Sequence, residues 1–233
     1  MKFFSKRKIA VALAVLGIFF VSFIYSVSTE KNVADFKKIT IVLDAGHGGI
    51  DGGSTGVTTG VKESELNLLI VKELETLFSQ SGFKVLLTRD GDYGLYGDES
   101  AGFKLRDLKK RVEIVNNSNA ELLISIHINK FSSPSRKGVQ VFYRDNDNIS
   151  KLLADSIQLE VNLLKEQERM FDALVGDYYV LNEILTSGVI VECGFLSNES
   201  DEKLLLSDAY RKKLAKRIYS GVFRYFSRQN NSK

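Results

Sequence analysis

Apolar residues along the chain follow two rhythms. Thr40–Leu43, Lys84–Thr88, Leu122–Ile126, Val139–Tyr143 and Val189–Val191 are short, mostly aliphatic and β-branched runs. Runs of that length, bounded by Gly, Asn or Asp, read as strands buried on both faces. Between them the apolar positions recur every three or four residues. Glu63 to Ser79 carries them at 66, 69, 70, 74, 77 and 78. Leu105 to Val115 places Leu105, Leu108, Val112 and Val115 on one side, and Ile149 to Leu164 is amphipathic. Tyr210 to Phe226 repeats the spacing with Tyr210, Leu214, Ile218, Val222 and Tyr225. Each pattern predicts a helix with one buried face. Lys165 to Val175 has no readable period. Strands alternating with helices predict an α/β sandwich around a mostly parallel sheet.

The N-terminus breaks this pattern. Lys2, Lys6, Arg7 and Lys8 precede an apolar run from Ile9 to Val27. It is close to the roughly 20 residues that span a bilayer, and Ser26-Val27-Ser28 is a poor cleavage site. Residues 1–28 therefore read as a signal-anchor or, as the alternative, a cleaved signal. The basic side faces the cytoplasm and the body lies outside. Residues 29–38 read as a polar linker, 39–228 as one catalytic domain and 229–233 as a tail. With 44% hydrophobic residues the body can bury a core, and with 26% charged residues it is soluble rather than disordered. A net charge of +3, with no basic stripe interleaved with aromatics, gives no case for nucleic acid as a partner. The single cysteine, Cys193, excludes an internal disulfide and a multi-cysteine zinc site. No internal repeat or appended polymer-binding domain is present.

Four polar residues stand where polar residues need a reason. His47 lies in a glycine-rich loop, Gly46 to Gly60, that follows the first strand. His127 closes the Leu122–Ile126 strand, and these are the only two histidines in the chain. Glu63 opens the first helix. Glu192 interrupts an apolar run, where an unpaired carboxylate costs several kcal/mol. Strand ends of open α/β sheets converge on sites. Two histidines and a carboxylate are a common catalytic zinc set that leaves a position for water, and a further carboxylate can serve as general base. The parts are His47, His127 and Glu63 as ligands and Glu192 as base. Three of them have a plainer reading: a hydrogen-bonded structural histidine for His47 and His127, and a first-turn acid answering the helix dipole for Glu63; Glu192 is harder to dismiss. Spacing alone does not choose between Glu63 and Glu65. Cys193 is a rival nucleophile, although a cysteine in an apolar run is more often an inert thiol.

In order, the chain reads Asp44-Ala-Gly-His-Gly-Gly-Ile-Asp-Gly-Gly53, Glu63-Ser-Glu-Leu-Asn-Leu68, Thr88-Arg-Asp90, Ser125-Ile-His-Ile-Asn129 and Val191-Glu-Cys-Gly-Phe-Leu-Ser-Asn198. This series resembles the zinc-dependent N-acetylmuramoyl-L-alanine amidases of the third type, from about Ile39 to Phe226. The family's metal-binding Glu stands four residues before an Asn, so Asn67 favours Glu63 over Glu65. Ser64 replaces the family's usual Lys, and Gly91–Lys104 looks longer and more acidic than its usual loop. The resemblance implies a three-layer αβα sandwich with a central, mostly parallel sheet of about six strands. It implies bound Zn2+ and cleavage of the amide between the lactyl group of N-acetylmuramic acid and L-alanine in peptidoglycan. Asn129 is a candidate polar contact to substrate. The anchor, the single domain and the lack of wall-binding repeats look most like the germination-specific, spore-cortex branch, on the forespore/cortex side of a membrane in a spore-forming bacterium. Other zinc amide hydrolases of the wall, a peptidase or a deacetylase, share the ligand set, and a catalytically silent wall-binding module is the remaining alternative. An activating accessory protein is a further expectation: the chain has no grip on the polymer, and a long glycine loop is costly to order.

Overall fold

The computed structural model of the protein describes residues 36–230. The expected membrane segment and most of the expected linker lie outside them. Among the described residues, no helix is long and apolar enough to cross a membrane.

Six strands form one sheet: β1 (Thr40–Ala45), β2 (Lys84–Leu87), β3 (Leu122–Asn129), β4 (Gln140–Tyr143), β5 (Leu174–Val175) and β6 (Ser187–Phe195). Their spatial order is β2-β1-β3-β6-β4-β5. All neighbouring pairs are parallel except β4 with β6, which is antiparallel. The expected mostly parallel, six-stranded sheet is thus found, with one reversal at the β4 side.

The helices are α1 (Glu63–Gln80), α2 (Phe103–Asn117), α3 (Asn148–Val161), α4 (Tyr179–Glu183), α5 (Glu199–Leu206) and α6 (Asp208–Asn230). Side chains alternate across each strand, so one strand feeds both faces of the sheet. Ile41, Leu43 and Ala45 of β1, Ile124 and Ile126 of β3, and Val189, Val191 and Cys193 of β6 enter the larger core with α1, α3 and α6. Val42, Leu123 and Ile190 point the other way, into a smaller core with α2 and α4. Phe36, inside the expected linker, is buried and stacks on Phe83 with ring centroids 4.4 Å apart.

Two strands run further than their apolar runs implied. β3 continues through His127 to Asn129, and β6 spans nine residues from Ser187 to Phe195. His127 and Glu192 therefore lie within strands rather than past their ends. Both are polar, and a hydrophobic-run criterion stops at them. The short α4, α5 and β5 have too few turns or residues to show a period.

Candidate metal centre and active site

On the α2/α4 face, the same alternation that buries Val42, Leu123 and Ile190 presents Asp44, Ser125, His127 and Glu192. His127 and Glu192 are register partners on adjacent parallel strands. Just beyond them the register shifts, with Asn129 opposite Phe195, so β6 bulges beside the site. Bulges of this kind re-aim side chains next to active sites. Glu63 arrives from the opposite side of the sheet. It is the first residue of α1, at the carboxyl edge of the strands.

The carboxylate of Glu63 joins the two imidazoles. His127 Nδ1 lies 3.0 Å and His47 Nε2 3.3 Å from its Oε1. The three ligand atoms all lie within 4.8 Å of one another. Glu63 is itself fixed: the Ser54 amide donates to Oε2 at 2.8 Å and the Ile128 amide to Oε1 at 3.1 Å. Asn67, four residues along α1, donates to Oε1 at 3.3 Å and to the Gly46 carbonyl at 3.2 Å. Glu65 is exposed and is not among the residues gathered at the site. Two glycines make the approach possible. A Cβ on Gly46 would fall 2.3 Å from the His127 ring, and one on Gly53 would fall 2.6 Å from Glu63 Oε2. Gly53 also has φ 68, which other residues adopt at a cost.

Electrostatics at this spot draw in positive charge. Burial lowers the pKa of His47, but its hydrogen bonds with Asp51 and Glu63 outweigh that and push it up to about 9. The Asp51 carboxylate binds His47 Nδ1 at 2.9 Å, an outer partner of the sort that orients a ligating imidazole and leaves Nε2 facing inward. Burial would raise Glu63, but its hydrogen bonds with both histidines dominate and hold it far below the usual range. Glu192 behaves in the opposite way. Burial and the neighbouring Glu63 charge push it up to about 7, although the two histidines and the Tyr178 phenol pull it down. Its Oε2 is buried without a hydrogen-bond partner.

Beneath the triad lies a charge network that hydrophobic periodicity did not reveal. Asp44 is 1% exposed and Arg111 2%. Arg111 pairs with Asp44 and, at 2.6 Å, with Asp107. It also donates to the carbonyls of Ala45 at 2.8 Å and His47 at 2.6 Å. Thr88 and Ser125 each donate to Asp44 at 2.6 Å. Arg89 donates to the carbonyls of Ala45 at 2.8 Å, Gly46 at 3.1 Å and Ser64 at 2.8 Å. Two buried guanidinium groups thus grip the backbone on both sides of the His47 loop. The remaining glycine loop is held by Glu202, which accepts from the Thr58 and Thr59 amides at 2.8 Å each. The loop expected to be costly to order is tied down within this chain.

Cys193 faces away, into the larger core, and burial pushes its thiol well up. It is an inert core residue. Asn129 stands apart from the triad, at the edge of a separate cavity, and its Oδ1 accepts from the Lys130 amide at 2.8 Å.

A profile of N-acetylmuramoyl-L-alanine amidases matches residues 41–224. The chain belongs to that family. This amidase is 33% identical over 199 residues to the germination-specific N-acetylmuramoyl-L-alanine amidase of Bacillus subtilis, covering 82% of this chain and 81% of the relative. It superposes on the CwlD amidase of Clostridioides difficile, solved in complex with the GerS lipoprotein, with a TM-score of 0.79 and 38% identity, over 82% of this chain and 99% of that one. A second N-acetylmuramoyl-L-alanine amidase from Clostridium difficile 630 gives a TM-score of 0.72 at 31% identity, over 81% and 97% of the two chains. The amidase fold expected from the motifs is therefore the fold of its relatives.

Proposed function

We propose that this amidase uses zinc held by His47, Glu63 and His127, with Glu192 as its general base, to cut the bond between the lactyl group of N-acetylmuramic acid and L-alanine. The observation that carries this reading is the juxtaposition itself: three ligand atoms within 4.8 Å of one another, with the free Glu192 Oε2 one strand away. Two imidazoles and one carboxylate suit zinc and leave an open position. The pull of Asp51 and Glu63 on a proton at His47 is the same pull that favours a cation there.

When bound, zinc acts as a Lewis acid, lowering the pKa of water and polarising a carbonyl. The chain's own residues supply the rest. Asp51 fixes the His47 ring, and Ser54 and Ile128 fix the Glu63 carboxylate. Glu192, shielded from water and raised towards neutral pH, takes a proton from the attacking water and returns it to the departing amine of L-alanine. The Arg89 and Arg111 clamps hold the His47 backbone in place while this happens.

The germination-specific relative and the CwlD structure support a role in spore-cortex modification; the basic residues before the apolar run Ile9–Val27 support a membrane tether with the body on its outer side. The complex of CwlD with a lipoprotein supports an accessory protein for this chain as well. The test of the metal assignment is elemental analysis. One zinc per chain is expected in the full-length protein and none in His127→Ala. Full zinc retention in that variant overturns the ligand set.

A further inference from the structure

Beside the triad, on the same face of the sheet, lies a cavity of about 680 Å³. It opens across β4. Gln140, on its wall, is the register partner of Glu192, so the strand that walls the cavity runs next to the strand that carries the base, at the ordinary spacing of ~4.8 Å between backbones. Its apolar surface comes from Phe131, Phe142, Phe171 and Phe195, and its charge from Arg136, Lys137 and Arg169 against Glu168. Lys137 is taken up by Glu168. Arg136 lies 4.3 Å over the Phe131 ring, which orients the guanidinium without neutralising it. Arg169 has no ion pair among the described residues. Two cations are thus left to face the cavity.

The space on the other side of the triad is different. It is about 280 Å³ and is lined by Asp51, Asp177, Tyr178 and Tyr179 beside His47 and His127. Its lysine, Lys104, lies 3.5 Å from Asp51, and its arginine, Arg111, is buried against Asp44. It has no free cation. Tyr178 stands between the two spaces, edge-on to Phe142 with centroids 5.5 Å apart.

The substrate is equally asymmetric. On one side of the scissile amide is the glycan. Its lactyl carboxyl is consumed in the amide, and what remains is hydroxyls and acetamides. On the other side is the stem peptide, whose later residues carry free carboxylates. We infer that the Arg136/Arg169 cavity is a carboxylate-binding subsite for the stem peptide, which fixes the substrate's direction: peptide across β4, glycan on the His47 side. Planar guanidinium groups bind carboxylates in pairs of parallel hydrogen bonds. The phenylalanines take the methyl and methylene groups between them. This rests on the amidase reading above.

The test uses full-length protein and two soluble muramyl peptides, one with free stem carboxylates and one with those carboxylates amidated. In the double variant R136A/R169A, KM for the free-acid substrate is expected to rise about tenfold, as for loss of a charge-assisted contact. For the amidated substrate KM stays within about twofold of wild type, and kcat is unchanged for both, since neither arginine touches the reacting atoms. The Lys pair R136K/R169K should recover only part of the loss, since an ammonium keeps the charge but not the paired hydrogen bonds. Both arginines are exposed, so folding is expected to be intact, and thermal unfolding checks it. An equal change for both substrates, or no change for either, overturns the subsite while leaving the amidase standing. Failure of the wild-type protein to cleave either substrate removes the amidase reading and the subsite together.

Discussion

Replacing Arg111 by methionine isolates the network beneath the site. The side-chain volume is roughly kept, but Asp44 loses its cation at a position 1% exposed. Breaking a buried pair by removing one partner costs about 3–5 kcal/mol. Asp44 keeps the hydroxyls of Thr88 and Ser125, while Asp107 and the Ala45 and His47 carbonyls also lose a donor, so a loss of about 3–5 kcal/mol is expected. Against a total of about 5–15 kcal/mol, the variant still folds, and its urea midpoint falls by about 1–2 M for an ordinary m-value. The pH dependence identifies the cause. In the wild type, burial would raise Asp44, but Arg111 and the hydroxyls hold it well below the usual carboxylate range. Its contribution is complete above the unfolded pKa of about 4 and is lost only as pH falls through the depressed folded value. In the variant the sign reverses. Burial without a cation raises Asp44, so the penalty is largest near neutral pH and fades as acid protonates the carboxyl. The gap between the two proteins therefore narrows from about pH 7 to about pH 4.5. Adding Asp44→Asn to the variant should recover stability at pH 7. The assay is urea unfolding followed by circular dichroism with metal chelated in both proteins, so that zinc affinity does not enter. A gap below about 0.5 kcal/mol, within the scatter of ordinary surface changes, refutes the argument. So does a gap that does not change with pH.

Three other outcomes follow. Glu192→Gln keeps zinc and loses activity by about 10²–10⁴-fold, the usual worth of a general base. Because burial raises the folded-state pKa of Glu192 to about 7, its ionisation costs stability as pH rises from the unfolded value. The metal-free variant is therefore more stable above about pH 7, by up to about 3 kcal/mol, and this gain is absent below about pH 4.5; a near-wild-type rate rules the base out. Glu65→Ala leaves zinc content unchanged by elemental analysis, and loss of zinc there reverses the choice between the two glutamates. Cys193→Ser changes kcat less than about threefold while lowering the melting temperature, because it places a hydroxyl in an apolar core; a thousandfold loss of rate revives the thiol as nucleophile.

The parts of the site that were legible in the sequence carry chemistry on unusual residue types. With two histidines in the chain, and one carboxylate inside a β-branched run, His47, His127 and Glu192 had few competing explanations. Glu63 was separable from Glu65 only through Asn67, and the structure shows why that Asn matters: it reaches both Glu63 and the Gly46 carbonyl. Arg89 and Arg111 were not assigned a role, because arginine is abundant and its burial depends on partners distant in sequence. Two signals were available. Arg89 sits in the Thr88-Arg-Asp90 motif, and Asp107 with Arg111 forms an i, i+4 pair on the buried side of α2. The strands were found at their apolar centres and lost at their polar ends, since His127 and Glu192 end a hydrophobic run without ending the ladder. The Arg136/Arg169 cavity gathers residues from the loop before β4, from β4 and β6, and from Lys165–Val175, the stretch with no period, so no local pattern could announce it.

We propose zinc-dependent cleavage of the lactyl–alanine amide by these residues. Digestion of purified peptidoglycan by the full-length protein, with added zinc and with chelator, followed by mass analysis of the products, tests it directly. Released stem peptides with free L-alanine amino termini and intact glycan strands are expected in the zinc sample, and no release with chelator. Cleavage within the peptide, loss of acetyl groups, or release that is unaffected by chelation would contradict it.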